Sequence, residues 1–231
     1  MNEPTQRQFV VPGEEIGTGI RCEGSVIKDN EKVISTVKGL MRRTNDSVSV
    51  IPLNGVYKPK EGDMVVGVVE HDFGGIYALD IHSPYRCILR PKREGNRGQG
   101  RDRRGGGNRY ERAEPESYNL GDVVSAKISS VDEVYEAQLT GPRILEKGLI
   151  VSVKPARVPR IIGKKKSMIE VIRQYTGSRI SVGQNGLIWI KEGDVALARE
   201  AIRMVEEQAY QSGLTDKMTN YLKEKKSNSL K

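Results

Sequence analysis

The chain has 231 residues, 36% hydrophobic and only 5% aromatic, a length that accommodates two or three small domains with cores of Val, Ile, Leu and Met rather than one large enzyme domain. Its net charge of +8 and pI near 9.4 favour a polyanionic partner. No apolar run approaches a helical membrane span, and MNEPTQRQFV has neither the basic nor the apolar stretch of a secretory leader, so a cytoplasmic location and no membrane partner are expected.

Between Val10 and Tyr57, short β-like pieces at 24–28, 32–37 and 47–52 are broken by Gly, Asp and Asn, with no helical period. They predict a small β-domain over residues 1–58. Two Gly-Asp turns follow, Gly62-Asp63 and Gly121-Asp122, each leading into a β-branched run. Pieces at 61–69, 76–81, 86–90, 120–128 and 136–140, with a further one at 149–153, come to about the five short strands of an OB barrel, expected over residues 59–148.

An insertion divides that barrel. Residues 92–112 carry eight Lys or Arg against three acids, with six glycines and almost nothing apolar, so they supply +5 of the net charge and build no core. One reading is a solvated spacer. The other, preferred here, is a flexible basic arm that reaches a phosphate backbone in many registers.

From Leu149 onward the apolar period changes from two to 3.6. Ser167-Met-Ile-Glu170 reads as a capping box, Ile169, Ile172 and Thr176 share a face, and Gly177 ends the helix. Pieces 179–183 and 187–191 flank Asn185-Gly186, a hairpin signal in which both turn positions need positive φ. Asp194 starts a helix with Val195, Ala198, Ile202, Val205 and Ala209 on one face. The remainder is a C-terminal tail.

This order, with a basic Gly-led loop between the first two helices, resembles a KH domain of the eukaryotic type, type I, over 149–231. Such domains use a Gly-x-x-Gly loop to clamp nucleic-acid backbone. Gly163 matches, Lys164 and Lys165 fill the variable places, and Lys166 stands where the second glycine belongs. Its Cβ predicts a weakened, sequence-blind contact. The alternative is a packing module whose loop is only a solvated turn.

Three stretches extend the resemblance: Asp80-Ile-His-Ser-Pro-Tyr85, the join from Lys154 to Gly163, and Val182-Gly-Gln-Asn-Gly-Leu-Ile-Trp-Ile190. With the order β-domain, S1-type OB barrel, KH domain, a multidomain β plus α/β architecture, they resemble the S1/KH cap subunits of the archaeal RNA exosome, ribosomal RNA-processing protein four type. The resemblance implies a non-catalytic role. Such caps sit as three copies on a ring of RNase PH-like subunits, possibly mixed with the zinc-ribbon cap, and lead single-stranded, adenine-rich RNA 3′ tails to the pore. It also implies a structural role for the turn Gly183, Gln184, Asn185 and Gly186.

On that basis the expected RNA contacts are His82, Tyr85, Arg86, Arg90, Lys92, Arg93 and Lys127 on the barrel, with Tyr85 stacking on bases. Arg97, Arg101, Arg103, Arg104, Arg109 and Arg112 add diffuse attraction, and Gly163, Lys164, Lys165 and Lys166 a secondary contact. A free-standing S1/KH regulator or ribosome-associated factor remains the alternative. No P-loop, nucleophile elbow or metal-ligand cluster appears; Cys22 and Cys87 are far apart, and His71 and His82 lack partners, so neither catalysis, cofactor nor metal is expected.

Overall fold

The computed structural model describes residues 8–19, 21–44, 47–91, 117–209, 211 and 213–228. The chain divides into two units, Met1–Gly55 and Val56–Lys231.

The first unit is all β. Strands β1 (Phe9–Val10), β2 (Glu15–Thr18), β3 (Arg21–Gly24), β4 (Val26–Asp29), β5 (Lys32–Ser35), β6 (Gly39–Arg43) and β7 (Ser47–Pro52) form two sheets, ordered β1-β6-β7-β3 and β2-β5-β4. Alternation along β7 sends Val48 and Val50 inward to meet Val10, Ile16 and Val33. The expected piece at 24–28 is split between the sheets, because Gly24 turns the chain at φ +74°. Strands β1, β2, β3 and β6 carry too few apolar residues to be read as a periodic pattern.

The second unit begins with a closed barrel: β8 (Met64–Asp72), β9 (Tyr77–Asp80), β10 (Cys87–Leu89), β11 (Val123–Val131) and β12 (Ala137–Leu145), ordered β10-β12-β11-β8-β9. Only β10 and β12 run parallel. Val65, Val69, Leu79, Ile81, Val124, Ala126, Ile128 and Leu139 are among the residues that fill the interior. Gly67 faces Ile81, whose Cγ2 would lie 2.9 Å from an added Cβ, so the barrel closes tightly there.

The chain then enters an antiparallel sheet of β13 (Leu149–Ser152), β14 (Arg179–Val182) and β15 (Leu187–Lys191), ordered β13-β15-β14. The piece at 149–153, counted among the barrel strands, thus pairs with β15 instead. Helices α1 (Val158–Ile162), α2 (Ser167–Thr176) and α3 (Val195–Glu207) cover the sheet, and Asp194 caps α3 by accepting from Leu197 N at 2.9 Å. The C-terminal tail holds a further helix, α4 (Leu214–Asn228). Its Leu214, Met218 and Leu222, four residues apart, enter the same core as Ile172, Ile188 and Ile202.

Candidate nucleic-acid interface

Barrel and helical module are joined by the turn at 183–186. Gly186 N donates to Gly183 O at 3.1 Å and Gly183 N to Leu187 O at 2.9 Å. Only Gly186, at φ +89°, takes positive φ in this turn, which corrects the expectation that Asn185 would too. A turn followed by a left-handed glycine closes the hairpin, so Asn185 serves through its amide, not its backbone.

That amide is fully buried against the barrel. Asn185 Nδ2 donates to Val66 O at 2.7 Å and Ile81 O at 2.8 Å, and Oδ1 accepts from Val66 N at 3.2 Å. Beside it, Gln184 Oε1 accepts from Met64 N, and Gln184 N donates to Met64 O. A Cβ on Gly183 would lie 2.7 Å from Val66 N, so the backbone approach requires glycine. Val66, Leu145, Leu187 and Trp189 form an apolar seam around these bonds, and Trp189 Nε1 donates to Glu146 O at 2.9 Å.

The barrel has two ends, and they carry different chemistry. At one end lie the turns 81–86 and 132–136, because β10 and β12 start there side by side, with Cys87 opposite Ala137. Asp80 Oδ1 accepts from His82 N at 2.7 Å and holds His82 at φ +56°. Asp132 Oδ1 accepts from Val134 N and Glu136 N at 3.0 and 2.7 Å, and Tyr135 sits between them at φ +63°. For a bulky side chain that backbone is rare and costs about 1–3 kcal/mol.

The strain sets Tyr135 against Tyr85, ring centroids 4.8 Å apart and planes tilted by 34°. Lys58 Nζ lies 5.8 Å from the Tyr135 centroid. Ser83 Oγ donates to Tyr57 O at 2.9 Å, which fixes the segment carrying Lys58 beside the 81–86 turn. Tyr57 itself is anchored by donation to Asp63 Oδ2, and burial together with that carboxylate pushes its phenol above the ordinary range. Tyr135 is 41% exposed, Tyr85 partly so, and neither belongs to the barrel core.

Of the expected barrel contacts, the structure brings together His82, Tyr85 and Arg86 at this end, with His82 and Arg86 exposed. Arg90 is at the other end, following Leu89, which pairs with Tyr77 at the start of β9. Lys127 is exposed on β11 opposite Met64, beside the strand that Gln184 grips. Lys92, Arg93, Arg97, Arg101, Arg103, Arg104, Arg109 and Arg112 lie outside the described residues. Tyr135 and Lys58, not among the expected contacts, also stand at this end. The available signal was an aromatic residue between Asp132 and the strand starting at Ala137.

The end that holds Arg90 also exposes apolar side chains. Phe73 packs near His71, ring centroids 5.9 Å apart, and Phe73 and Leu120 are largely solvent-accessible.

The loop of the helical module is strained as well. Gly163 has φ +76°, and a Cβ there would come within 2.6 Å of Met168 N. Lys165 (φ 52°, ψ 33°) and Lys166 (φ 67°, ψ 14°) are both left-handed, and Lys164, Lys165 and Lys166 are exposed. At Lys166 the backbone therefore has the conformation that glycine adopts without penalty. The capping box does not form: Ser167 already has helical dihedrals, φ −56° and ψ −42°, and the cap position is Lys166, which makes no side-chain cap bond. The left-handed pair delivers the chain directly into α2, which places the serine one residue too late to cap it.

Chemically, these groups can stack, donate hydrogen bonds and attract anions. Cys87 is buried, and burial with Glu136 nearby pushes its thiol up to about 12, which keeps it protonated. Among the described residues no group of three or more His, Cys, Asp or Glu is placed to hold a metal ion.

A closed OB-like barrel fused to a βααββα module through a buried asparagine defines an OB-barrel and KH protein. Residues 148–196 match the protein-family model described as KH domain. The chain belongs to the family of exosome complex component Rrp4. It is 36% identical over 230 residues to the Methanobrevibacter smithii protein of that description, covering 94% of this chain and 71% of the relative. With the Methanothermus fervidus protein the identity is 34%, covering 94% and 96%. With that of Thermoplasma acidophilum it is 36%, covering 95% and 92%. A crystal structure of a protein described as an exosome complex RNA-binding protein superposes with a TM-score of 0.58 at 28% identity, over 77% of this chain and all of that one.

Proposed function

We propose that the chain is a non-catalytic, RNA-binding cap subunit of an archaeal exosome. It docks on a ring of RNase PH-like subunits in three copies, alone or mixed with a zinc-ribbon cap. There it recruits single-stranded, adenine-rich RNA 3′ tails to the central pore for 3′-to-5′ phosphorolysis by the ring, in the cytoplasm.

The observation that carries this reading is the likeness to exosome complex component Rrp4 proteins over 94% of the chain, which takes in all the modules rather than the KH domain alone. Partly exposed Tyr85 and the exposed His82 and Arg86 at one end of the barrel, Arg90 at the other and Lys127 on the wall support the RNA role. The basic segment carrying Lys92, Arg93, Arg97, Arg101, Arg103, Arg104, Arg109 and Arg112 adds diffuse attraction by its charge. Lys164, Lys165 and Lys166 form a weaker second contact, and the turn at 183–186 has a structural role.

The test is purification of the tagged chain from its native lysate after nuclease treatment, with co-purifying proteins identified by mass spectrometry. Two RNase PH-like subunits are expected at stoichiometric yield. Recovery of the chain alone, or with ribosomal proteins only, contradicts the ring-docking reading and favours a free-standing RNA-binding factor.

A further inference from the structure

Two aromatic rings stand outside the barrel core, on two different turns, and each turn is held by an aspartate that accepts backbone N–H groups. A turn under no demand would place a residue other than tyrosine at φ +63°, because a bulky side chain there is unfavourable. Tyr135 is nonetheless held there and lies partly exposed, with Val134 beside it 74% exposed. A Tyr–Tyr pair buried for stability would instead be enclosed like Tyr77 and Tyr118, which pack edge to face inside the barrel.

The charge around this end decides the kind of ligand. Asp132 and Glu133 are exposed on the same turn as Tyr135, and Asp80 precedes the other turn, so a phosphate backbone finds a mixed field rather than a basic one. Asp80 Oδ1 and Asp132 Oδ1 are engaged with backbone amides. What the site offers is an exposed π-face and an ammonium near it, the equipment for stacking a planar heterocycle. Every unpaired nucleobase has such a face, and purines have the larger one.

We infer that Tyr85, Tyr135 and Lys58 form a stacking platform for an unpaired purine base of single-stranded RNA, at the barrel end opposite Arg90. This rests on the RNA-binding reading above and extends it: Tyr135 supplies the outer face, Tyr85 backs it, and Lys58 closes over the bound base. Arg90, exposed at the far end, attracts phosphates there, so one strand is held at two points by different forces. Stacking, unlike phosphate attraction, releases few counterions and persists at high salt.

The test uses the full chain and fluorescein-labelled oligoadenylate, with an abasic ribose-phosphate oligomer of equal length, followed by anisotropy at low and high salt. Tyr135→Ala is expected to weaken oligoadenylate binding on the order of ten-fold at both salts and to leave abasic binding unchanged. Tyr85→Ala gives the same pattern, and Tyr135→Phe, which keeps the ring, restores affinity. Unchanged oligoadenylate binding in Tyr135→Ala, or an equal loss for the abasic oligomer, overturns the platform while leaving the RNA-binding reading intact. Failure of the unaltered chain to bind either oligomer overturns that reading and the platform with it.

Discussion

Asn185 and Val66 are joined by two hydrogen bonds, Nδ2 to the Val66 carbonyl at 2.7 Å and the Val66 amide to Oδ1 at 3.2 Å, in a site with no exposure of either residue. One amide thus completes the backbone pairing of a barrel strand whose neighbour on that side is a different module. Asparagine suits this because it offers donors and an acceptor at once. Removing it leaves Val66 O, Val66 N and Ile81 O buried. We expect Asn185→Ala to destabilise the second unit by about 2–4 kcal/mol, read as a lower urea midpoint. Asn185→Asp is expected to cost more, since a carboxylate presents only acceptors to two carbonyls. An unchanged midpoint in both variants refutes the clasp.

The left-handed backbone at Lys166 makes a second prediction. Glycine relieves strain there, so Lys166→Gly is expected to stabilise the protein by about 1 kcal/mol. RNA affinity should rise or stay level, because the Cβ nearest the loop amides is gone. If affinity instead falls steeply, the Lys166 ammonium makes the contact itself.

Deletion of residues 95–108 removes four arginines and one aspartate. The loss of RNA affinity should be large at low salt and small at high salt, the behaviour of counterion release. A titration series across salt concentrations reads this as a shallower slope of log affinity against log salt. Equal loss at all salts rules out a diffuse electrostatic arm.

The buried Cys87 thiol gives a pH dependence. Its folded value is pushed up to about 12 from an ordinary 9.0, so above pH 9 the unfolded chain loses this proton while the folded chain keeps it. Cys87 therefore contributes stability that is full below pH 9 and falls as pH rises toward 12. Cys87→Ala should flatten the decline between those values in pH-dependent denaturation. At neutral pH a thiol reagent should modify the half-buried Cys22 first and Cys87 only on unfolding.

Much of the architecture could be read from pattern, and the failures have physical causes. The helices 167–176 and 195–207 were legible because Ile169, Ile172, Ala198, Ile202 and Val205 repeat at helical spacing and face a single core. The run Val65 to Val69 does not alternate because β8 is buried on both faces, Val65 and Val69 in the barrel and Val66 against Trp189. Helix α4 reads as tail in the sequence because Leu214, Met218 and Leu222 are diluted by charged neighbours. Tyr135 could not be paired with Tyr85 from sequence, since their meeting depends on barrel closure bringing β10 beside β12. Lys166 was visible as a departure from a glycine pattern, but the left-handed backbone beneath it was not.

The account holds that RNA is carried chiefly by the barrel, with the loop at 163–166 secondary. Ultraviolet cross-linking of the full chain to single-stranded oligoadenylate, with the linked peptides mapped by mass spectrometry, tests this most directly. Cross-links concentrated in peptides containing Tyr85 and Tyr135, with fewer at 160–170, are the predicted result. Cross-links confined to the peptide around Gly163, with the barrel peptides unlabelled, contradict it.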